Sequence, residues 1–415
     1  MKFRFSGPAA AVLLSVAAAS AHANTTLTVA VFPKLDQEIK DAIPAWKKLH
    51  PDVDIKVSAL AIADHHNAMT TALATSSDLP DVMALEVGFI GRFAAGGGLE
   101  DLSKPPYNAG QYKSQFIGYT FAQATTQDGV IVGMPADIGP GTLFYRKDIL
   151  DKAGVTEADL NRSWDSYLAA GQKIKKATGA YLMASSRDIE DIYIRANLKE
   201  GDGVYFDKAG NPVVTSERFV KAFQLAKKAR DLGLDAKITP WSNEWAESFR
   251  RGTVATQMMG AWLGGHLSSW IAPDTKGLWR AANLPNNAYA SFGGTFYAIP
   301  AKATQKAMSW EFIKFLTTRK DTQLASFRSI DAFPALLAAQ DDPFFAEPVP
   351  FLGNEKARLI WRDAASHIPS IQRSKYDQVA EEAVHSALDK VVDDNEDIGT
   401  ALKQAQDEIT HRVRR

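Results

Sequence analysis

Nine tryptophans in an otherwise polar chain are the residues whose chemistry stands out. An indole face covers the faintly apolar C–H face of a sugar ring, while carboxylates and amides hydrogen-bond its rim of hydroxyls. Trp262 is the first candidate for such a platform, because it follows Gly260-Ala261, and a residue without a side chain lets ligand approach the backbone. Trp241 and Trp245 stand four apart, so on a helix they share a face and at least one of them belongs to the core. Trp270 and Trp279 lack flanking glycines and read as structural. For Trp262, Trp241 and Trp245 alike, packing in the core is the competing reading.

The polar candidates follow the same logic. Asp137, with Gly139 and Gly141 behind it, either bridges sugar hydroxyls beside a bending corner or bonds its own backbone two residues on. Glu86 ends a strand begun at Asp81, and open α/β sheets bind ligand beyond the carboxyl ends of their strands; the alternative is a solvated surface acid. Asp36 is a third acidic candidate. Gly293, Gly294 and Phe296 open a strand where backbone and ligand could meet, or simply make a tight turn. Arg328 suits a sugar hydroxyl or an anion, or else pairs with Asp331. Of the adjacent pair His65-His66, which point different ways on a helix, His66 is a candidate ligand contact. One hydrogen bond contributes about 1 kcal/mol net, and micromolar affinity needs about −8 kcal/mol. Several such groups must therefore converge.

Catalytic signatures are missing from the sequence. There is no H-x-x-x-H, G-x-S-x-G, phosphate-cradling loop or complete dinucleotide fingerprint, and there are no cysteines. No cofactor and no metal is expected. With 47 basic and 48 acidic residues the chain offers no footprint for nucleic acid. Lys2 and Arg4, an apolar run over Pro8–Ala19 and Ala21-His22-Ala23 form a secretory signal over residues 1–23. The mature chain is expected to start near Asn24, unanchored by lipid and free in the periplasm, and no later stretch could span a bilayer.

The elements that must position these residues are α/β. Leu27–Phe32 and Val53–Val57 read as strands around a helix marked by Leu35, Ile39, Ile43, Trp46 and Leu49. That is a βαβ unit, which implies a parallel sheet, with a kink or late helix start expected at Pro44. A helix near Asp64–Thr75 leads to the strand Asp81–Leu85. Gly129–Tyr145 reads as a crossing between two lobes, and Ala282–Pro285 as a second. Helices are expected near Ser163–Thr178, Ser216–Leu232 and Ser309–Thr317, with two amphipathic helices at the end.

Four stretches resemble the sugar-binding family of ABC-importer solute-binding proteins, which includes the maltose-binding proteins. They are Thr70–Val82 running on to Phe93–Leu102; Gly133–Pro140 with Leu143–Asp148 and Trp164-Asp165; Phe249–Ala255 with Gly260-Ala261-Trp262; and Gly293-Gly294 with Ala298–Pro300 and Trp310–Leu316. The resemblance implies the two-lobed periplasmic binding protein fold (type II), with hinge crossings and ligand held in the interlobe cleft. Residues 24–136 and 284–329 would form the first lobe, and 137–283 with 330–415 the second. It further implies a monomeric binding module without turnover that hands its solute to a membrane permease powered by a cytoplasmic ATPase. Glu86 and Phe89 stand where the family often has Asp and Trp, which leaves the particular sugar open. A binding protein for a charged solute and an exported carbohydrate-active enzyme are the alternatives; a hydrolase would need two carboxylates flanking one bond, which sequence alone cannot place.

Overall fold

The computed structural model describes residues 24–414, so the expected signal at 1–23 lies outside the described residues. Strands β1 (Thr25–Val31), β2 (Val53–Ala59) and β3 (Val82–Glu86) are parallel, in the order β2-β1-β3. The helices Leu35–Leu49 and Ile62–Thr75 make the two crossovers. The first runs through Pro44 without a break. Ile39, Ala42 and Trp46, buried on either side of the proline, hold it in place.

Strand β4 (Met134–Arg146) organises the rest. Its first half pairs antiparallel with β7 (Ser291–Ala298), which also pairs with β3, so Met134–Ile138 close the first lobe's sheet. Its second half, Gly141–Arg146, pairs with β5 (Thr256–Gly260) and β6 (Trp279–Ala282) in the second lobe. Both lobes thus share one continuous strand, and β7 crosses beside it. Register shifts at Pro135/Asp137 and Ile138/Pro140 break the ladder near the crossing, as expected where a strand must bend.

Each lobe's sheet is covered on both faces. Leu27, Val29 and Val31 pack with Ile39, Phe312 and Ile313 on one face of the first, while Met83, Leu85 and Phe296 pack with Met69 and Phe93 on the other. In the second lobe Leu143 and Tyr145 face Leu168 and Ile174, and Phe144 faces the opposite way with Trp245 and Trp279. This two-sided burial is why the strands read as apolar runs.

The crossings fall later than expected. Leu284 and Ala290 still pack with Leu143 and Met258, so β7 crosses at about Ser291–Gly294. After Ser329 the chain stays with the first lobe: β8 (Phe333–Pro334) pairs with β4 at Asp137 and Ile138, and Phe344 and Phe345 pack on Phe327. Proline marks the end of local structure, not the place where a ladder changes partners, which is why Pro285 points to a crossing a few residues early; the boundary at Ser329 followed from the resemblance.

Candidate functional site

At the crossing the Trp262 indole sits edge-on against the shared strands. Its N–H donates to the Phe292 carbonyl at 2.8 Å. A Cβ placed on Gly260 would lie 2.3 Å from that nitrogen, on Gly293 2.7 Å and on Gly139 2.9 Å. These glycines therefore leave room for the indole, which stands against Gly260 and Gly139, the two expected to meet ligand. Trp241 lies nearly parallel to Trp262, 17° between planes and 5.9 Å between centroids, and is 48% exposed. Its φ of +68° is a left-handed conformation that a bulky residue adopts only under constraint. Trp270, also exposed, donates to His266 Nδ1 at 2.9 Å, and the His266 ring meets Trp241 and Trp262 edge-on.

The first lobe reaches this aromatic group through Lys34, whose Nζ donates to Ser269 Oγ at 3.0 Å. Asp331, at the end of the helix Lys320–Ile330, packs against Gly265, where an added Cβ would lie 2.8 Å from the Asp331 side chain. Burial raises the Asp331 carboxyl to about 6, opposed by Arg358 and Lys34. Burial, with Lys34 nearby, lowers His266 to about 4, so its ring is neutral at pH 7.

Glu86 stands at the end of β3, on the first lobe's side of the contact between the lobes. Its Oε2 accepts the Gly88 N–H at 2.6 Å, and burial raises its carboxyl to about 7 against the pull of Gly88, Arg373 and Arg195. From the second lobe, Gln378 Nε2 donates to Gly88 O at 3.3 Å, and a Cβ on Gly91 would lie 2.4 Å from Ser374 O. Arg195 donates to Glu381 at 2.8 Å and lies over the Phe292 ring at 5.0 Å. A small cavity beside it is lined by Arg195, Ser291, Ile368 and Ile371. Arg195 Nε, Arg373 Nε and Nη2 and Asp137 Oδ1 are buried with no hydrogen-bond partner among the described residues, while the buried Tyr119 and Ser291 hydroxyls face only each other. So many orphaned polar atoms from both lobes are unusual in a folded interior.

Other expected contacts are placed elsewhere. Trp245 is fully buried, its indole nitrogen donating to Gln257 Oε1 at 3.2 Å. Phe296 is buried in the first lobe's core, since its strand position points it away from the crossing. His66 is buried too: it accepts the Glu86 N–H at Nε2, donates from Nδ1 to Ile62 O, and stacks on Phe89 at 4.0 Å. It holds Glu86 from behind. Gly294, at φ +138°, pairs with Ile138 and accepts the Val87 N–H, the turn-like alternative. Asp36 pairs with Lys40 on its own helix at 2.7 Å. Arg328 is exposed, over the Phe344 ring and 3.8 Å from Asp342, not Asp331. Lys34, Asp331, Arg195, Arg373 and Gln378 were missed, because their meeting depends on pairings between distant parts of the chain.

Asp137 has a buried acid neighbour in Glu38, which accepts the Tyr297 hydroxyl at 3.2 Å. Burial and Asp137 raise Glu38 to about 7, and burial raises Asp137 to about 6. An acid whose folded pKa lies above its unfolded value of 4.5 keeps its proton longer in the native state. Its stabilising contribution is full at low pH and is lost as pH rises through 7. Glu38→Gln should therefore gain about 3 kcal/mol on the parent between pH 4.5 and 8. Urea unfolding at both pH values checks this, and a parent-to-variant difference independent of pH would contradict it.

Two α/β lobes sharing a strand, with stacked indoles, acids and guanidinium groups at the joint, define a two-lobed solute-binding protein. The sequence profile of the bacterial extracellular solute-binding proteins matches residues 41–351, and the chain belongs to that family. It is similar to the lactose-binding protein of Rhizobium radiobacter, 28% identical over 363 residues covering 81% of this chain and 80% of that protein. A crystal structure of an extracellular solute-binding protein of family 1 superposes with a TM-score of 0.81 at 26% identity, covering 93% of this chain and 99% of the other. The ABC transporter associated binding protein of Bifidobacterium animalis subsp. lactis, solved with β-1,6-galactobiose, has the same fold, with a TM-score of 0.77 at 22% identity over 94% and 98% of the two chains. Among the described residues no helix is long and apolar enough to cross a membrane.

Proposed function

We propose that this chain is the periplasmic capture component of an ABC importer for a neutral sugar of about disaccharide size. Solute binds between a first lobe built on residues 24–138 and 294–345 and a second built on 139–293 with the C-terminal helices. The closed monomer is then presented to the membrane permease and its ATPase. The orphaned polar atoms contributed by both lobes carry the reading: ligand hydroxyls would satisfy them only when the lobes close, and that differential affinity is what drives closure. Hinge closure around ligand is the general motion of periplasmic binding proteins. The half-exposed Trp241 on Trp262 would cover the sugar's C–H face. The lactose-binding relative makes lactose the first probe. A second reading, an acidic sugar, draws on the unpartnered nitrogens of Arg195 and Arg373.

The test is a thermal-shift screen with lactose, galactobiose, arabino-oligosaccharides and galacturonate, followed by small-angle scattering. Ligand at 100 times Kd should stabilise the chain by about 2.7 kcal/mol, with a smaller radius of gyration at saturation. A galacturonate response alone would favour the acidic reading. Stabilisation without compaction would remove the closure mechanism.

A further inference from the structure

Behind Arg195, on the side away from the Phe292 ring, the second lobe holds a cluster whose members the proposed function does not use, although Asp191 lies 3.8 Å from Arg195. The helices Arg187–Ala196 and Asp377–Asp393 pack so that Glu190 and Asp191 on one face His385 on the other. His385 Nε2 lies 3.3 Å from Asp191 Oδ1 and 3.6 Å from Glu190 Oε2. The three groups can each offer one ligand atom, all within 4.8 Å of one another. A second observation points to a ligand. The Glu190 side chain is fully buried, is aimed at His385, and neither of its oxygens has a hydrogen-bond partner among the described residues. A buried carboxylate with two idle oxygens requires either a proton or a cation.

We propose that Glu190, Asp191 and His385 form a binding site for one divalent transition-metal ion of the zinc type, which clips these two helices together. The distances suit it: tetrahedral ligands at 2.0–2.2 Å stand about 3.4 Å apart, close to the separations from the imidazole nitrogen. The donor set suits it too, since one imidazole with two carboxylates favours zinc over the all-oxygen shells of calcium or magnesium. Charge agrees. Glu190, Asp191, Glu381 and Asp389 face Arg187 and Arg195, with Arg187 on Asp389 at 2.9 Å and Arg195 on Glu381 at 2.8 Å and Asp191 at 3.8 Å, and Arg373 acts on Glu381 from further away. The acids outnumber the guanidinium groups among them, so the cluster has negative charge for a dication to offset. Burial holds the Glu190 carboxyl high, and the neighbouring acids hold His385 high; the ion would replace both protons. The sequence hides the site because His385 stands 194 residues from Asp191.

Untagged full-length mature protein, stripped with chelator, is titrated with zinc chloride by calorimetry, and retained metal is measured by plasma mass spectrometry. About one equivalent per chain is expected at micromolar Kd or tighter, with a higher melting temperature. Glu190→Gln and His385→Gln should each weaken it at least about tenfold, with circular dichroism unchanged. Should Glu190→Gln fail to fold, the partly exposed His385→Gln alone decides. Less than about a tenth of an equivalent retained, or an affinity that neither variant alters, overturns the proposal. So does zinc that leaves the melting temperature unmoved while Glu190→Gln raises it, the signature of a protonated His385 clamp.

Discussion

Gly139→Ala is expected to destabilise the chain by about 3 kcal/mol or more. The added Cβ would lie 1.9 Å from the Phe292 carbonyl oxygen and 2.9 Å from Trp262 Nε1, closer than any real contact. The carbonyl cannot retreat without breaking its 2.8 Å bond to the indole, which is the joint's own tie between β7 and the second lobe. Relief must come from moving two strands where they change lobes. Gly96→Ala is the control, since nothing lies within 4 Å of a Cβ there. Thermal and urea unfolding read the difference. A Gly139→Ala melting temperature within about 1 °C of the parent would show that the crossing is far softer than its packing indicates.

Trp241→Ala is expected to weaken binding of the sugar that answers the thermal-shift screen at least tenfold, about 1.4 kcal/mol, while lowering stability little. The ring is 48% exposed, lies against Trp262, and is held at a φ of +68°. Strain at an exposed aromatic is a reason to look for a ligand. Trp262→Ala would confound the measurement, because that indole fills the glycine cradle and ties Phe292, so its loss costs stability as well as affinity. Calorimetric titration with that sugar, alongside melting curves, separates the two. Unchanged affinity in Trp241→Ala would remove the stacking platform and leave the polar end near Glu86 as the site.

Much of the fold was legible because it depends on local repetition. The apolar run at Leu27–Phe32, the helical spacing from Leu35 to Leu49 and the alternation at Val53–Val57 became β1, a crossover helix and β2 as read. Glu86 stands at the end of its strand as expected. The Gly-rich corner after Asp137 does mark a crossing, although the glycines there serve the Trp262 indole. Trp245 is the member of the Trp241/Trp245 pair that belongs to the core, a choice left open because periodicity says which residues share a face and not which face looks inward, and Phe296 likewise points into the core. His66 was misread because a histidine that bonds the backbone through both nitrogens looks the same in sequence as one that reaches a ligand.

Residue order by itself determined the α/β elements and the crossing near Asp137, which rest on patterns within a few dozen residues, and the family, which rests on the order of four such stretches along the chain. Only the tertiary structure decided which groups meet. Lys34 with Ser269, Gln378 with Gly88 and His385 with Glu190 are brought together by strand register and helix packing across long stretches of chain. Such meetings are consequences of burial and ladder geometry, quantities that belong to the folded whole and leave no local periodicity to read.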